Sequence, residues 1–269
     1  MIARHATRGR RREGVASGRT LGYRSGAMAE SLRNPPLAEA IFELQLKPTA
    51  GWDWTVAGLL YERFKEQFSE RGQAVAVAMP GLPVNIQPVM GFQRVQLKRP
   101  DGSAMIQIAP NQLVVNHLRP YPGWVSFKKQ VLAIVEGFLA TGPRLDPTGM
   151  HLRYVNLVGP LPRRGDPSAV LTVLPQLRGP LMRESAGFYQ RHELIYDQPK
   201  GVLVLQAGLT VMEKGPQVVL DLDFVSAPNG AGGVDTVGAL STWLEDAHEN
   251  VGAAFRAAVT DSVYHGFKE

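Results

Sequence analysis

Val218-Val219-Leu220-Asp221-Leu222-Asp223-Phe224 alternates so that Leu220, Leu222 and Phe224 fall on one side of an extended chain and Asp221 and Asp223 on the other. Successive side chains of a strand point to opposite faces, so this stretch reads as part of an antiparallel sheet with one face in a core and one face wet. A Pro/Gly-rich loop, Pro228 to Gly233, follows it, and then an amphipathic helix from Thr236. The same order occurs once before: Gln112-Leu113-Val114-Val115-Asn116-His117-Leu118, a turn at Pro120 to Gly123, and a helix from Val125. A strand with one apolar side must be covered, and the helix that comes straight after it is the nearest cover.

Working outward, residues 39 to 47 alternate with Phe42, Leu44 and Leu46 on the apolar side and Ile41, Glu43 and Gln45 on the other. Asn34-Pro35-Pro36 before them is a rigid extended lead-in. Val56, Leu60, Phe64 and Phe68 recur every fourth residue after Asp53, a good N-cap, which predicts an amphipathic helix stopping near Gly72. Segments 84 to 98, 102 to 109 and 111 to 118 are separated by turn residues and read as a meander, closed by a helix with Val131, Leu132, Val135, Phe138 and Leu139 on one stripe. The second half opens with a strand from Met150 to Val158. A short helix capped by Asp166-Pro167 follows, then a meander over 181 to 196, 201 to 213 and 216 to 224. The last helix carries Leu240, Leu244, Ala247, Val251 and Phe255 on its buried stripe. The expected fold is therefore α+β, with two similar halves (strand, helix, antiparallel meander, helix) sharing one core. Residues 28 to 145 form the first half and 146 to 269 the second.

The net charge of +5 is unevenly placed. Residues 1 to 27 hold seven Arg against the single acid Glu13, so of the chain's 29 basic and 24 acidic residues the remaining 22 and 23 nearly balance. Residues 1 to 27 read as a solvated basic leader ahead of a start at Met28. The alternatives for it are an arm that touches phosphates or an organellar transit peptide. Nucleic acid is thus expected as a partner only through the leader, and the body offers no basic footprint. No apolar run approaches the ~18 residues that cross a bilayer, so no membrane association is expected and the cytoplasm is the expected location. There is no Cys, which excludes disulfides, thiolate nucleophiles and thiolate metal sites.

Asp221 and Asp223 share one strand face, and paired carboxylates there can hold Mg²⁺ or Mn²⁺ and position a phosphate. The same spacing arises on any wet sheet face. Arg153 and His151 alternate with Leu152 and Tyr154, and a strand placed beside 218 to 224 would set Arg153 against the two carboxylates, as an ion-pair ladder or one wall of an anion site. Asn156 on that strand and His192 with Glu193 in the neighbouring meander complete a candidate polar cluster. His248-Glu249 opens like a zincin helix, but Gly252 stands where the second His is needed, so His248 reads as a helix-surface or capping residue. Gly230-Ala231-Gly232-Gly233 has Asp235 where a dinucleotide turn needs glycine. Trp52, Trp54, Trp124 and Trp243 fall at or near helix starts, where large rings pin helix to sheet. No phosphate-binding loop, nucleophile elbow or kinase signature occurs in the sequence.

Pro36-Leu37-Ala38-Glu39-Ala40-Ile41-Phe42-Glu43, Arg153-Tyr154-Val155-Asn156, Asp221-Leu222-Asp223 and a last helix with Ala247-His248, Phe255 and Thr260-Asp261 carry a resemblance. Over residues 33 to 265 the chain resembles a sporadically distributed prokaryotic family of uncharacterised proteins of similar size. The resemblance implies a cytosolic prokaryotic protein and lends no activity, cofactor or site. The expected function is a non-enzymatic binding or accessory module for a protein or small-molecule partner, without a cofactor. The alternative is an enzyme using Mg²⁺ or Mn²⁺ on Asp221 and Asp223, with Arg153 and His151 on a phosphorylated substrate.

Overall fold

A computed structural model describes residues 32–47, 53–75, 93–141, 146–161, 166–175, 178–181, 187–212, 215–227 and 237–268. The leader, Trp52, the segment 84 to 92 and the loop at Gly230 to Gly233 lie outside the described residues. Nine strands form one antiparallel sheet: β1 (Leu37–Lys47), β2 (Glu70–Val75), β3 (Gln93–Lys98), β4 (Ala104–Ala109), β5 (Gln112–Leu118), β6 (Asp146–Val158), β7 (Tyr189–Asp197), β8 (Lys200–Met212) and β9 (Gly215–Ser226). Their order across the sheet is β2-β3-β4-β5-β1-β6-β9-β8-β7. The fold is α+β. Three helices, α1 (Thr55–Phe64), α2 (Trp124–Thr141) and α3 (Val237–Ala258), cover it, and a short α4 (Asp261–Gly266) follows α3.

The period-two alternation decides which side faces the core. Phe42 stands opposite Val115 on β5 and Leu152 on β6, Leu152 opposite Phe224 on β9, and Phe224 opposite Leu203 on β8. All five are fully buried in one cluster with Leu60 of α1, Val131 and Phe138 of α2, and Leu244 and Val251 of α3. Each such side chain taken out of water contributes ~1.5–3 kcal/mol. All four helices lie against this side: Val263 and Tyr264 of α4 pack on the same cluster. Val114 and Val204 are buried but lie outside the cluster, because they belong to the opposite face of the sheet.

Two helices depart from the expectation. α1 ends at Phe64 rather than near Gly72, and Phe68 is buried from the connection that follows. Gly72 lies inside β2, a strand with no apolar alternation that among the described residues pairs with β3 alone. The core stripe of α2 is Phe127, Val131, Ile134, Val135 and Phe138, while Leu139 is exposed. The short helix expected after Asp166 is present as a 3-10 turn, Pro167–Ala169, with Pro167 at its first position and Asp166 capping it by accepting from the Ser168 N–H.

Candidate functional site

The side of the sheet away from the core carries no helix among the described residues, and its side chains join into rows that run across the strands. β6 lies between β1 and β9, with Arg153 opposite Ile41 on one side and Asp223 on the other. The guanidinium reaches one step along β9: Nε donates to Asp221 Oδ1 at 2.8 Å and Nη2 to Asp221 Oδ2 at 2.6 Å. Both carboxylate oxygens of Asp221, a residue only 4% exposed, are held by this fork. Burial pushes the Asp221 carboxyl up, and Arg153 opposes it. For Arg153, burial works against the charge, but Asp221 outweighs it and the guanidinium stays protonated.

The row continues to both sides. Gln206 of β8 donates to Asp221 Oδ2 at 3.4 Å, and the Tyr189 hydroxyl of β7 donates to Gln206 at 2.5 Å. On the other side, Glu39 of β1 lies within the field of Arg153 and accepts from Asn116 of β5 at 2.7 Å. Asn116 accepts from Gln107 of β4 at 2.9 Å, and Gln107 from Gln96 of β3 at 3.3 Å. Eight of the nine strands thus contribute: hydrogen bonds run from Gln96 to Glu39 and from Arg153 to Tyr189, and charge attraction between Glu39 and Arg153 joins the two stretches into one row. Burial raises the Glu39 carboxyl, against the pull of Asn116 and Arg153.

A second row joins Asp223, His151, Gln45 and Glu43. His151 Nδ1 lies 3.2 Å from both Asp223 oxygens, and its Nε2 lies 3.0 Å from the Gln45 amide nitrogen, which also donates to Glu43. The Gln45 N–H is a donor only, so His151 Nε2 accepts and its proton sits on Nδ1, toward Asp223. Burial disfavours a charged His151, but Asp223 and Glu43 outweigh it and raise the imidazole above its ordinary value. The nitrogen that a hydrolase would aim at a nucleophile is here taken up by an amide.

The structure therefore brings Asp221, Asp223, Arg153 and His151 together, as the alternation indicated. It separates the other two members of the expected cluster. Asn156 is on the core side of β6, where its amide donates to the carbonyls of Tyr154 and Leu220. His192 shares its face of β7 with Gln190 and with Tyr196, whose ring meets Phe224, so it too lies on the side away from Asp221. One residue of strand separates the two faces, and Tyr189, Arg191, Glu193 and Ile195 are the β7 residues that share the face with the carboxylates. Among the described residues no three His, Asp or Glu side chains converge as a metal site. Gln45, Glu39, Asn116, Gln107 and Gln206 carry no site motif in the sequence. Their only signal is that each alternates with core residues on its own strand.

His248 is not a surface cap. Its ring stacks on Trp124 at 4.0 Å and 10°, joining α3 to α2, and its Nδ1 lies 2.9 Å from the Tyr154 hydroxyl. Burial, helped by Lys128 and opposed by Glu245, lowers its imidazole to about 4. Glu245 takes hydrogen bonds from Trp124 Nε1 at 2.8 Å and Lys128 at 2.6 Å, which clamps the two helices at their outer side. Trp243 packs in the core beside Phe224, whereas Trp54 is half-exposed. No helix among the described residues is long and apolar enough to cross a membrane. Neither a protein-family model nor a curated protein matches this chain.

Proposed function

We propose that the protein is a non-enzymatic binding or accessory module that presents the open face of its sheet to a partner. The supporting observation is the polar row from Gln96 to Tyr189. It preorganises donors and acceptors across eight strands on a face where no helix packs among the described residues, and preorganised polar groups are what a binding surface supplies at low entropic cost. In the middle of this face, on β1, β6 and β9, Glu39, Glu43, Asp221 and Asp223 outnumber Arg153 and His151, while Arg94 and Lys98 of β3 and Arg191 with Glu193 of β7 lie toward its two ends, so the middle suits a partner rich in amine, guanidinium or amide donors. The metal-dependent alternative is less well supported, because Arg153 occupies both oxygens of Asp221 and Gln45 occupies His151. The family resemblance adds a prokaryotic cytosolic setting to this reading.

Calorimetric titration with Lys/Arg-rich and Asp/Glu-rich peptides tests the binding reading. Heat from the basic series only, abolished in a Glu43→Gln/Asp223→Asn variant, is expected. A thermal-midpoint rise on adding Mg²⁺ or Mn²⁺ that disappears in Asp221→Ala/Asp223→Ala would favour the enzyme instead. The equivalence of the two halves belongs to the same proposal: β1 and β6, which open each half, stand side by side, flanked by β5 and β9, which close each meander. Superposing residues 37–118 on 146–226 tests it.

A further inference from the structure

β7 ends the sheet, paired with β8 on one side and with no strand on the other among the described residues. An edge strand offers a row of open N–H and C=O groups, which natural proteins blunt by shortness, Lys, Pro, bulges or a cover. Among the described residues no segment covers β7, and it runs nine residues without Lys or Pro, in unbroken register with β8. Arg191 to Ile195 are all exposed, Ile195 at 86% and Leu194 at 43%. The opposite edge, β2, is six residues long with Gly72 inside it.

The Leu209 N–H donates to the Phe188 carbonyl at 3.2 Å. By antiparallel alternation, Gln190, His192 and Leu194 then turn their backbone groups to β8, and Tyr189, Arg191, Glu193 and Ile195 turn theirs outward. The charges say what fits there. Arg191 and Glu193 lie on the same face two residues apart, bridged at 2.8 Å along the strand. If a second β7 is laid antiparallel about a two-fold axis through His192, Arg191 of each copy faces Glu193 of the other. Tyr189 then faces Ile195, and Gln190 faces Leu194. Moving the axis to Glu193 sets two carboxylates head to head, and moving it to Leu194 sets Arg191 against Asp197 at the strand end but leaves both Glu193 side chains against Ile195. Only the first register pairs Arg191 with Glu193, and an isologous contact of this kind closes on itself.

We propose that β7 is a homodimerisation edge that pairs with β7 of a second copy about His192, joining the two sheets into one. This interface does not depend on what the open face binds. Sedimentation of the full chain over a concentration series is expected to show a monomer–dimer equilibrium. Glu193→Arg weakens it about tenfold or more, because both symmetry-related pairs become repulsive, and Arg191→Glu/Glu193→Arg restores it. A thermal midpoint checks that each variant is folded. The chain has no Cys, so His192→Cys introduces a single thiol on the axis, facing its own copy. Under mild oxidation it forms a covalent dimer faster than Leu194→Cys, which decides the matter even if Glu193→Arg fails to fold. A monomer at every concentration, a dimer indifferent to Glu193→Arg, or faster cross-linking through Leu194→Cys overturns the proposal.

Discussion

Arg153 holds Asp221 with both arms of its guanidinium, and Asp221 is almost wholly out of water. Removing one partner of such a pair costs more than removing both, because the survivor is left charged without compensation. Arg153→Met is therefore expected to lower unfolding stability by about 2–3 kcal/mol, somewhat below a fully buried pair since the guanidinium is partly wet. The double variant Arg153→Met/Asp221→Leu should recover much of the loss, as urea unfolding will show. His248 gives a pH dependence with a definite sign. Its folded value of about 4 lies below the ordinary 6.5, so between these two values the unfolded chain binds the extra proton. Stability contributed by the neutral ring is complete above 6.5 and is lost as pH falls toward 4. His248→Phe keeps a ring against Trp124 but cannot titrate. The difference in unfolding free energy between it and wild type should shrink on acidification across that window, and a parallel pair of curves would contradict the assignment.

At the level of elements, the strands and long helices whose side chains alternate or stripe strongly could be read from the sequence. Leu220, Leu222 and Phe224 are buried as their spacing demanded, and α3 buries Leu240, Leu244, Ala247, Val251 and Phe255 along one stripe. α1 was read too long because Phe68 keeps a four-residue spacing although the chain has already left the helix, and β2 has no pattern of its own to find. The same limit hid much of the polar row. Asn116 and Glu39 meet across 77 residues of chain and Trp124 and Glu245 across 121, so no local window contains either contact. Pairing within β6 and β9 was visible because their opposite charges recur at strand spacing. Gly201 shows how tight the β8–β9 pairing is: a Cβ there would run into the Val225 carbonyl oxygen and the Phe224 ring. Gly201→Ala is expected to destabilise by about 1–3 kcal/mol through forced strand separation, and Phe224→Ala by about 3–5 kcal/mol through the cavity it leaves. Denaturant midpoints compared at constant m-value distinguish both from a change in the unfolded state.

Across the whole molecule, β1 and β6 join the two halves of the chain at the middle of a single sheet, and one hydrophobic cluster runs through both. Heat or urea should therefore unfold the protein in one cooperative step, with coincident transitions by tryptophan fluorescence and far-ultraviolet dichroism. Cutting the chain between residues 142 and 145 should yield pieces that aggregate alone and recover a native spectrum when mixed during refolding. Two resolved transitions, or a stable isolated half, would contradict this. The placement of β1 also bears on biosynthesis. It leaves the ribosome well before its partner on one side, which arrives about 100 residues later, as the 106-residue span between Gln45 and His151 measures. At the ~5–20 residues per second of translation, that flank waits several seconds or more unpaired. Its Phe42-Glu43-Leu44 segment is then an open template for neighbouring nascent chains. Yield of native protein should consequently rise when translation is fast relative to collision, or when a holdase shields the segment until β6 emerges.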